Sequence, residues 1–236
     1  EDFQREWSPR LGLRYQSPVT GTVLTSSWSQ GFKQPSLYAV GHPLAGNADL
    51  DAETSWTIDV GASQSLSAGR LVLELNGFHT RYRDLIDFDF ESFRLLNRSQ
   101  VRAEGLELSA ATTLPAGLSL HCTGSLTSTE VESTGRPLLE RPEWIVDATL
   151  GWESPRQRRR GQMRLTVVDD IPSASLATGP RRLDGYVRLD VSASMPLTDR
   201  LRLQVAVDNL FDSEYDDAVG IPAAGVLPRL RLHGEM

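Results

Sequence analysis

The sequence predicts an all-β fold, an antiparallel transmembrane β-barrel of which about eleven strands lie within residues 1–236. Three observations carry this. Apolar and polar residues alternate with a period of two, the gaps between alternating runs are short and long in turn, and the two faces the alternation defines differ in character. A period of two sends successive side chains to opposite sides of a strand, so it reports one apolar and one wet surface.

The clearest run lies between 182 and 212. Val187, Leu189, Val191 and Ala193 alternate with Arg188, Asp190, Ser192 and Ser194. After Pro196-Leu197-Thr198-Asp199 the pattern resumes, with Leu201, Leu203, Val205 and Val207 set against Arg202, Gln204, Ala206 and Asp208. Two such runs around a short break predict a hairpin. The same pattern covers 118–127, where Leu118, Leu120, Cys122, Gly124 and Leu126 share one face. It also covers 143–152, where Trp144, Val146, Ala148, Leu150 and Trp152 do so. With the weaker segments, strands are expected at 8–16, 19–30, 52–65, 70–86, 93–113, 118–129, 142–153, 162–171, 183–194, 200–211 and 227–235. No segment shows helical periodicity.

Short gaps fall at 17–21, 66–69, 114–117, 154–161 and 195–199, mostly with the Pro or Gly that tight turns require. Long gaps fall at 31–50, 87–92, 130–141, 172–182 and 212–226. Strict alternation puts every short turn at one end of the sheet and every long loop at the other, the asymmetry of an outer-membrane barrel. Charge on the polar face is too dense for a sandwich interior, where each unpaired ion costs several kcal/mol, but suits a hydrated or plugged lumen. Trp144 and Trp152 stand eight residues apart on one face. That is roughly 26 Å of strand and, with a tilt of ~40°, roughly 20 Å of height, close to the ~25 Å apolar band between aromatic girdles.

Composition narrows the function. A formal charge of -7 argues against binding a phosphate backbone, so no nucleic-acid partner is expected. The single Cys122 excludes an internal disulfide and a clustered thiolate site. His42, His79, His121 and His233 are too dispersed for a metal-ligand spacing, with His121 and His233 on the expected lumen face. Two acidic clusters, Asp84, Asp87, Asp89 with Glu91, and Asp212, Glu214, Asp216 with Asp217, are carboxylate-rich enough to hold Ca²⁺, although a solvated loop is the simpler reading. Neither a Gly-x-Ser-x-Gly elbow nor a phosphate-binding Gly-rich loop is present. The expectation is therefore no enzyme, no cofactor, and no catalytic or metal residue. Arg156, Arg158, Arg159 and Arg160 form a basic turn at the short-turn end. Glu74, Arg102, Glu104, Arg188, Asp190, Arg202 and Asp208 are expected to line the lumen.

Several segments resemble the carboxy-terminal part of TonB-dependent outer-membrane receptors. The most specific is Asp208-Asn209-Leu210-Phe211-Asp212-Ser213-Glu214-Tyr215, similar to the family's Asn-Leu-Phe-Asp-x-x-Tyr segment before the last strand. Gly31-Phe32-Lys33-Gln34-Pro35-Ser36-Leu37 and Leu50-Asp51-Ala52-Glu53-Thr54-Ser55 resemble two further family segments. Asn76-Gly77-Phe78, Tyr82-Arg83-Asp84-Leu85-Ile86 and Gly105-Leu106-Glu107 follow in the family's order. The likeness is nearest to the cobalamin- and siderophore-receptor branch. Three positions depart from it: Ala52 replaces a usual Pro, Val226 a common Arg, and His233-Gly234-Glu235-Met236 a terminal aromatic residue.

The resemblance implies that 1–236 is the carboxy-terminal part of a receptor barrel of probable 22 strands, with the plug domain absent from this segment. It implies an outer-membrane transporter for a scarce bulky nutrient such as a siderophore or cobalamin-like ligand. Its partners would be the remaining half of the barrel and the plug, TonB acting through that plug, the lipid bilayer, and the small-molecule nutrient. A plug-less structural barrel component and a soluble all-β binding module are the alternatives. Loop composition selects no ligand, so substrate-binding residues are not identified.

Overall fold

The computed structural model describes residues 7–89, 91–175 and 177–234. Its strands are β1 (Arg10–Gln16), β2 (Val23–Lys33), β3 (Glu53–Leu66), β4 (Leu71–Asp89), β5 (Arg94–Leu114), β6 (Leu118–Val131), β7 (Trp144–Ser154) and β8 (Arg159–Val168). They continue with β9 (Ile171–Ser175), β10 (Gly179–Leu183), β11 (Tyr186–Pro196), β12 (Leu201–Asp208), β13 (Asp216–Ala218), β14 (Ile221–Pro222) and β15 (Leu227–Gly234). Eleven of them form one antiparallel sheet in the order β1-β2-β3-β4-β5-β6-β7-β8-β11-β12-β15. These are the eleven strands expected from the alternation. Each pairs with the next by a short turn at one end or a longer outer connection at the other.

Four expectations need correction. The 87–92 gap is not a long loop: β4 runs to Asp89 and β5 starts at Arg94, leaving only a tight connection. Its alternation fades because this part of the hairpin lies beyond the hydrocarbon, where neither face is required to be apolar. β8 stops at Val168 rather than 171, since Asp169-Asp170-Ile171-Pro172 turns away into the small β9–β10 hairpin, and Pro172 has no N–H for a ladder. A second small pair, β13–β14, sits in the last outer loop. One helical turn, α1 (Leu37–Gly41), occurs in the first outer loop, where the Ser36 hydroxyl accepts from Ala39 N–H at 3.0 Å. Five residues are too few to show a helical period.

Register assigns the faces, because directly paired residues share one. Leu106 pairs with Leu126 and Leu126 with Trp144; Leu114 pairs with Leu118 and Leu118 with Trp152. Ala148, Leu165 and Leu189 continue the row, as do Val191, Val207 and Pro228. One side of the sheet is thus apolar from β1 to β15, and nothing covers it: Leu13, Leu108 and Leu230 are 69%, 56% and 69% exposed. The accessible surface is 16056 Å², against about 10,600 Å² for a compact soluble protein of this mass. A single layer with an uncovered greasy face is stable against acyl chains and not against water.

Inner turns keep tight geometry. Gly117 sits at φ 78, and a Cβ there would run into the Glu153 carbonyl oxygen, so this turn demands glycine. β1 has β2 as its sole neighbour and β15 has β12. Both edge strands run toward the short-turn end, and their unpaired N–H and C=O groups need further strands to complete the ladder in lipid.

Candidate functional site, a polar wall with a clasped outer rim

The side opposite the apolar face carries alternating polar residues and binds them into short ion-pair and hydrogen-bond groups. Ser27 Oγ donates to Asp59 at 2.9 Å, and Asn76 Nδ2 lies 3.4 Å from Glu107. Asp147 accepts from Arg164 Nε at 2.8 Å and Thr166 Oγ1 at 2.7 Å. Arg188 pairs with Asp190 at 2.8 Å, and Arg229 with Asp208 at 2.5 Å. Near the inner end a depression is lined by Glu153, Arg160, Gln162, Arg202, Gln204 and His233. Arg202 Nη1 donates there to the Arg158 carbonyl at 3.0 Å, which ties the basic turn to the wall.

The expected lumen residues Glu74, Arg188, Asp190, Arg202 and Asp208 all lie on this wall, as do His121 and His233. Arg102 and Glu104 do not. They share the parity of Leu106 and Leu108 and so point to the outer side, where Arg102 pairs with Glu130 at 2.7 Å and His79 meets Glu104 at 3.1 Å. β5 is 21 residues long, about 69 Å of strand. That is far more than a ~25 Å apolar band needs, so its outer third leaves hydrocarbon and charge is tolerated on both faces.

At the outer rim the segment 208–215 folds into a clasp. Asn209 takes φ 50 and is 1% exposed. Its Nδ2 donates to the carbonyls of Ser213 (3.0 Å) and Ala224 (3.2 Å), and its Oδ1 accepts from Ser213 N–H at 3.0 Å. Ser213 Oγ donates to the Val187 carbonyl, and Asp212 Oδ1 accepts from Val226 N–H at 3.1 Å. Tyr215 stacks on Tyr186 with ring centroids 3.8 Å apart, and its hydroxyl is 3.4 Å from Arg188 Nη1. Both ends of the 209–226 loop are thereby pinned to β11. Beside it, Arg181, Arg182, Asp184, Glu214, Tyr215 and Asp216 line an open cleft.

A second assembly holds the first outer loop. Lys33 pairs with the buried Glu53 at 3.2 Å, and Glu53 also accepts from Ile86 N–H at 2.9 Å. Asn97 donates to the Asp51 carbonyl at 3.1 Å, and its Oδ1 accepts from Asp51 N–H at 2.9 Å. Asn47 reaches the Leu95 carbonyl at 3.1 Å. His42 is a turn staple in this loop, its Nδ1 accepting from Ala45 N–H at 3.0 Å.

Among the described residues no group of three or more His, Cys, Asp and Glu side chains converges as for a metal. In the first acidic cluster Asp87 accepts from Phe88 N–H and Asp89 from Ser92. Sequence reasoning missed the partners Tyr186, Ser213 and Ala224 of the clasp. A left-handed Asn four residues before a Ser was the available signal.

The comparisons accord with this geometry. A family model described as "TonB dependent receptor-like, beta-barrel" matches residues 1–210. The vitamin B12 transporter BtuB of Vibrio cholerae is 24% identical over 95% of this chain and 36% of its own length. The iron-regulated outer membrane virulence protein of the same species is 26% identical over 92% and 37%. The chain therefore spans little more than a third of these curated relatives. Among solved structures, the ferric enterobactin receptor PfeA of Pseudomonas aeruginosa superposes with a TM-score of 0.77 at 22% identity, covering 97% of this chain and 40% of that one. The copper transporter OprC does so with 0.81 at 18% identity, covering 97% and 39%. A single-layer sheet with one lipid-type face, sorted connections and a matched family model over most of its length places this chain in the TonB-dependent receptor β-barrel family, whose members reside in the outer membrane.

Proposed function

We propose that residues 1–236 form the carboxy-terminal half of the wall of a TonB-dependent transporter for a scarce, bulky nutrient of the siderophore or cobalamin class. The carrying observation is the polar wall itself: paired charges sit in register along β3 to β15 on the face away from lipid, with a depression at the inner end and pinned loops at the outer end. A wall of fixed, mutually satisfied charges suits a lumen filled by a removable plug, because docking exchanges hydrogen bonds with water for hydrogen bonds with protein at small net cost. Relatives named for vitamin B12 and iron uptake support the nutrient class.

Both edge strands run inward, so a two-fold pair of this chain would meet through parallel seams. A segment whose first and last strands run outward closes the barrel with antiparallel seams throughout. The missing half of the same receptor, on the same or a separate chain, meets that requirement.

The test is uptake of labelled cyanocobalamin and of ferric siderophores by cells carrying the complete receptor, with and without an energised inner membrane. Energy-dependent uptake that is lost on deleting residues 34–52 supports the proposal. An assembled barrel with neither binding nor uptake of any such nutrient would overturn it in favour of a plug-less structural role.

A further inference from the structure

The outer side of the sheet is apolar through Leu71, Leu73 and Leu75 of β4, passes Gly77, and then presents His79, Arg81 and Arg83. These three face away from the lumen, so neither plug docking nor capture of a nutrient accounts for them. The neighbouring charges are already satisfied: His79 meets Glu104, Arg102 meets Glu130, and Glu53 meets Lys33 on the opposite face. Among the described residues no carboxylate pairs with Arg81 or Arg83, and both are exposed. Arg81 lies over the Trp56 ring, 6.0 Å from its centroid.

Arg81 and Arg83 form one wall of a cleft of about 260 Å³ whose other sides are Trp7, Phe32, Thr54 and Trp56. All are on the lipid-facing parity of their strands or continue it. Trp7 is 86% and Phe32 40% exposed. Aromatic rings of this kind mark the boundary between hydrocarbon and headgroups. Two guanidinium forks directly above such a boundary offer parallel N–H donors in the geometry that phosphate oxygens accept, and their partial dehydration strengthens the pairing.

From this juxtaposition we infer that the cleft between β2, β3 and β4 binds the phosphorylated headgroup of an outer-leaflet lipid. Arg81 and Arg83 hold the phosphate, and the rings of Phe32, Trp56 and Trp7 pack against the first carbons of the acyl or sugar portion. The lipid supplies the negative charge that the sheet does not, and fixes the height at which the strands leave the membrane.

The experiment uses the complete receptor, purified from outer membranes in mild detergent, as wild type, as R81Q/R83Q, and as R14Q, which removes a charge from the lumen face of β1. Co-purified lipid phosphorus is measured, and each protein is titrated with diphosphorylated lipid A, with its dephosphorylated form and with inorganic phosphate. Retention and affinity for the diphosphorylated lipid should fall roughly tenfold or more in R81Q/R83Q and stay unchanged in R14Q. Undiminished retention in R81Q/R83Q overturns the inference, as does equal affinity of the wild type for the dephosphorylated lipid. Displacement of the lipid by equimolar inorganic phosphate assigns the cleft to a free anion and overturns it too. The wild-type titrations decide the matter even if the double variant does not fold.

Discussion

The backbone N–H of Asn209 donates to Asp190 Oδ1 at 2.9 Å, joining the outer end of β12 to the middle of β11 through a carboxylate that also holds Arg188 at 2.8 Å. Asn209 meets three requirements at once: a left-handed φ of 50, burial to 1% exposure, and an amide that bonds three backbone groups. Asn tolerates that conformation better than other residues with a Cβ, and its amide mimics a backbone unit.

Substituting Asn209 therefore separates conformation from bonding. Asn209→Ala should cost about 3 kcal/mol, from left-handed strain and two orphaned carbonyls plus an orphaned N–H. Asn209→Gly removes the strain and should cost roughly 1–2 kcal/mol less than the alanine variant. Hydrogen exchange of residues 209–226 in the assembled receptor is the measure. Equal protection in Ala and Gly variants would show that φ at this position carries no weight.

The same residues explain why so much was legible. The family-like segments are cross-strand partners: Asn76-Gly77-Phe78 lies in register against Gly105-Leu106-Glu107, and Lys33 opposite Glu53. Strands showed themselves wherever one face meets lipid, since hydrocarbon enforces the alternation residue by residue. Beyond the belt that enforcement ends, and there the reading failed: the tips of β4 and β5, the β9–β10 hairpin and α1 went unseen. Arg102 and Glu104 were assigned to the lumen by charge, when their parity with Leu106 already placed them outside. The clasp was visible as a motif, but its partners Tyr186 and Ala224 come from distant sequence and only the folded loop unites them.

Gly105 illustrates a constraint that register alone reveals. A Cβ there would strike the Leu126 carbonyl oxygen and approach the Phe78 ring to 2.9 Å. Gly105→Ala should destabilise the barrel by about 1–3 kcal/mol, the usual cost of forcing atoms into a packed site. Adding Phe78→Ala should recover only part of this, because the carbonyl stays in place. The folded fraction seen by heat-modified electrophoretic mobility after denaturant titration reports the order. Complete recovery in the double variant would mean that the ring, and not the backbone of β6, sets the limit.

Adjacent residues at mid-height of the belt should respond oppositely to the same charge. Ala110 lies midway between Leu106 and Leu114 on the lipid face, paired with Cys122, while Ser109 faces the lumen directly opposite Glu74. An arginine in mid-bilayer costs about 2–4 kcal/mol even after its side chain stretches toward the interface. Ser109→Arg places the cation in a hydrated lumen beside a carboxylate, where a cross-strand ion pair contributes a few tenths to 1 kcal/mol in its favour. Ala110→Arg should therefore lower the unfolding free energy of the complete barrel in lipid vesicles by about 2–4 kcal/mol, and Ser109→Arg should leave it nearly unchanged. The difference follows from face alone, since the two positions share strand, depth and local backbone. If both variants unfold at the same guanidinium concentration, the assignment of the apolar side to lipid is wrong.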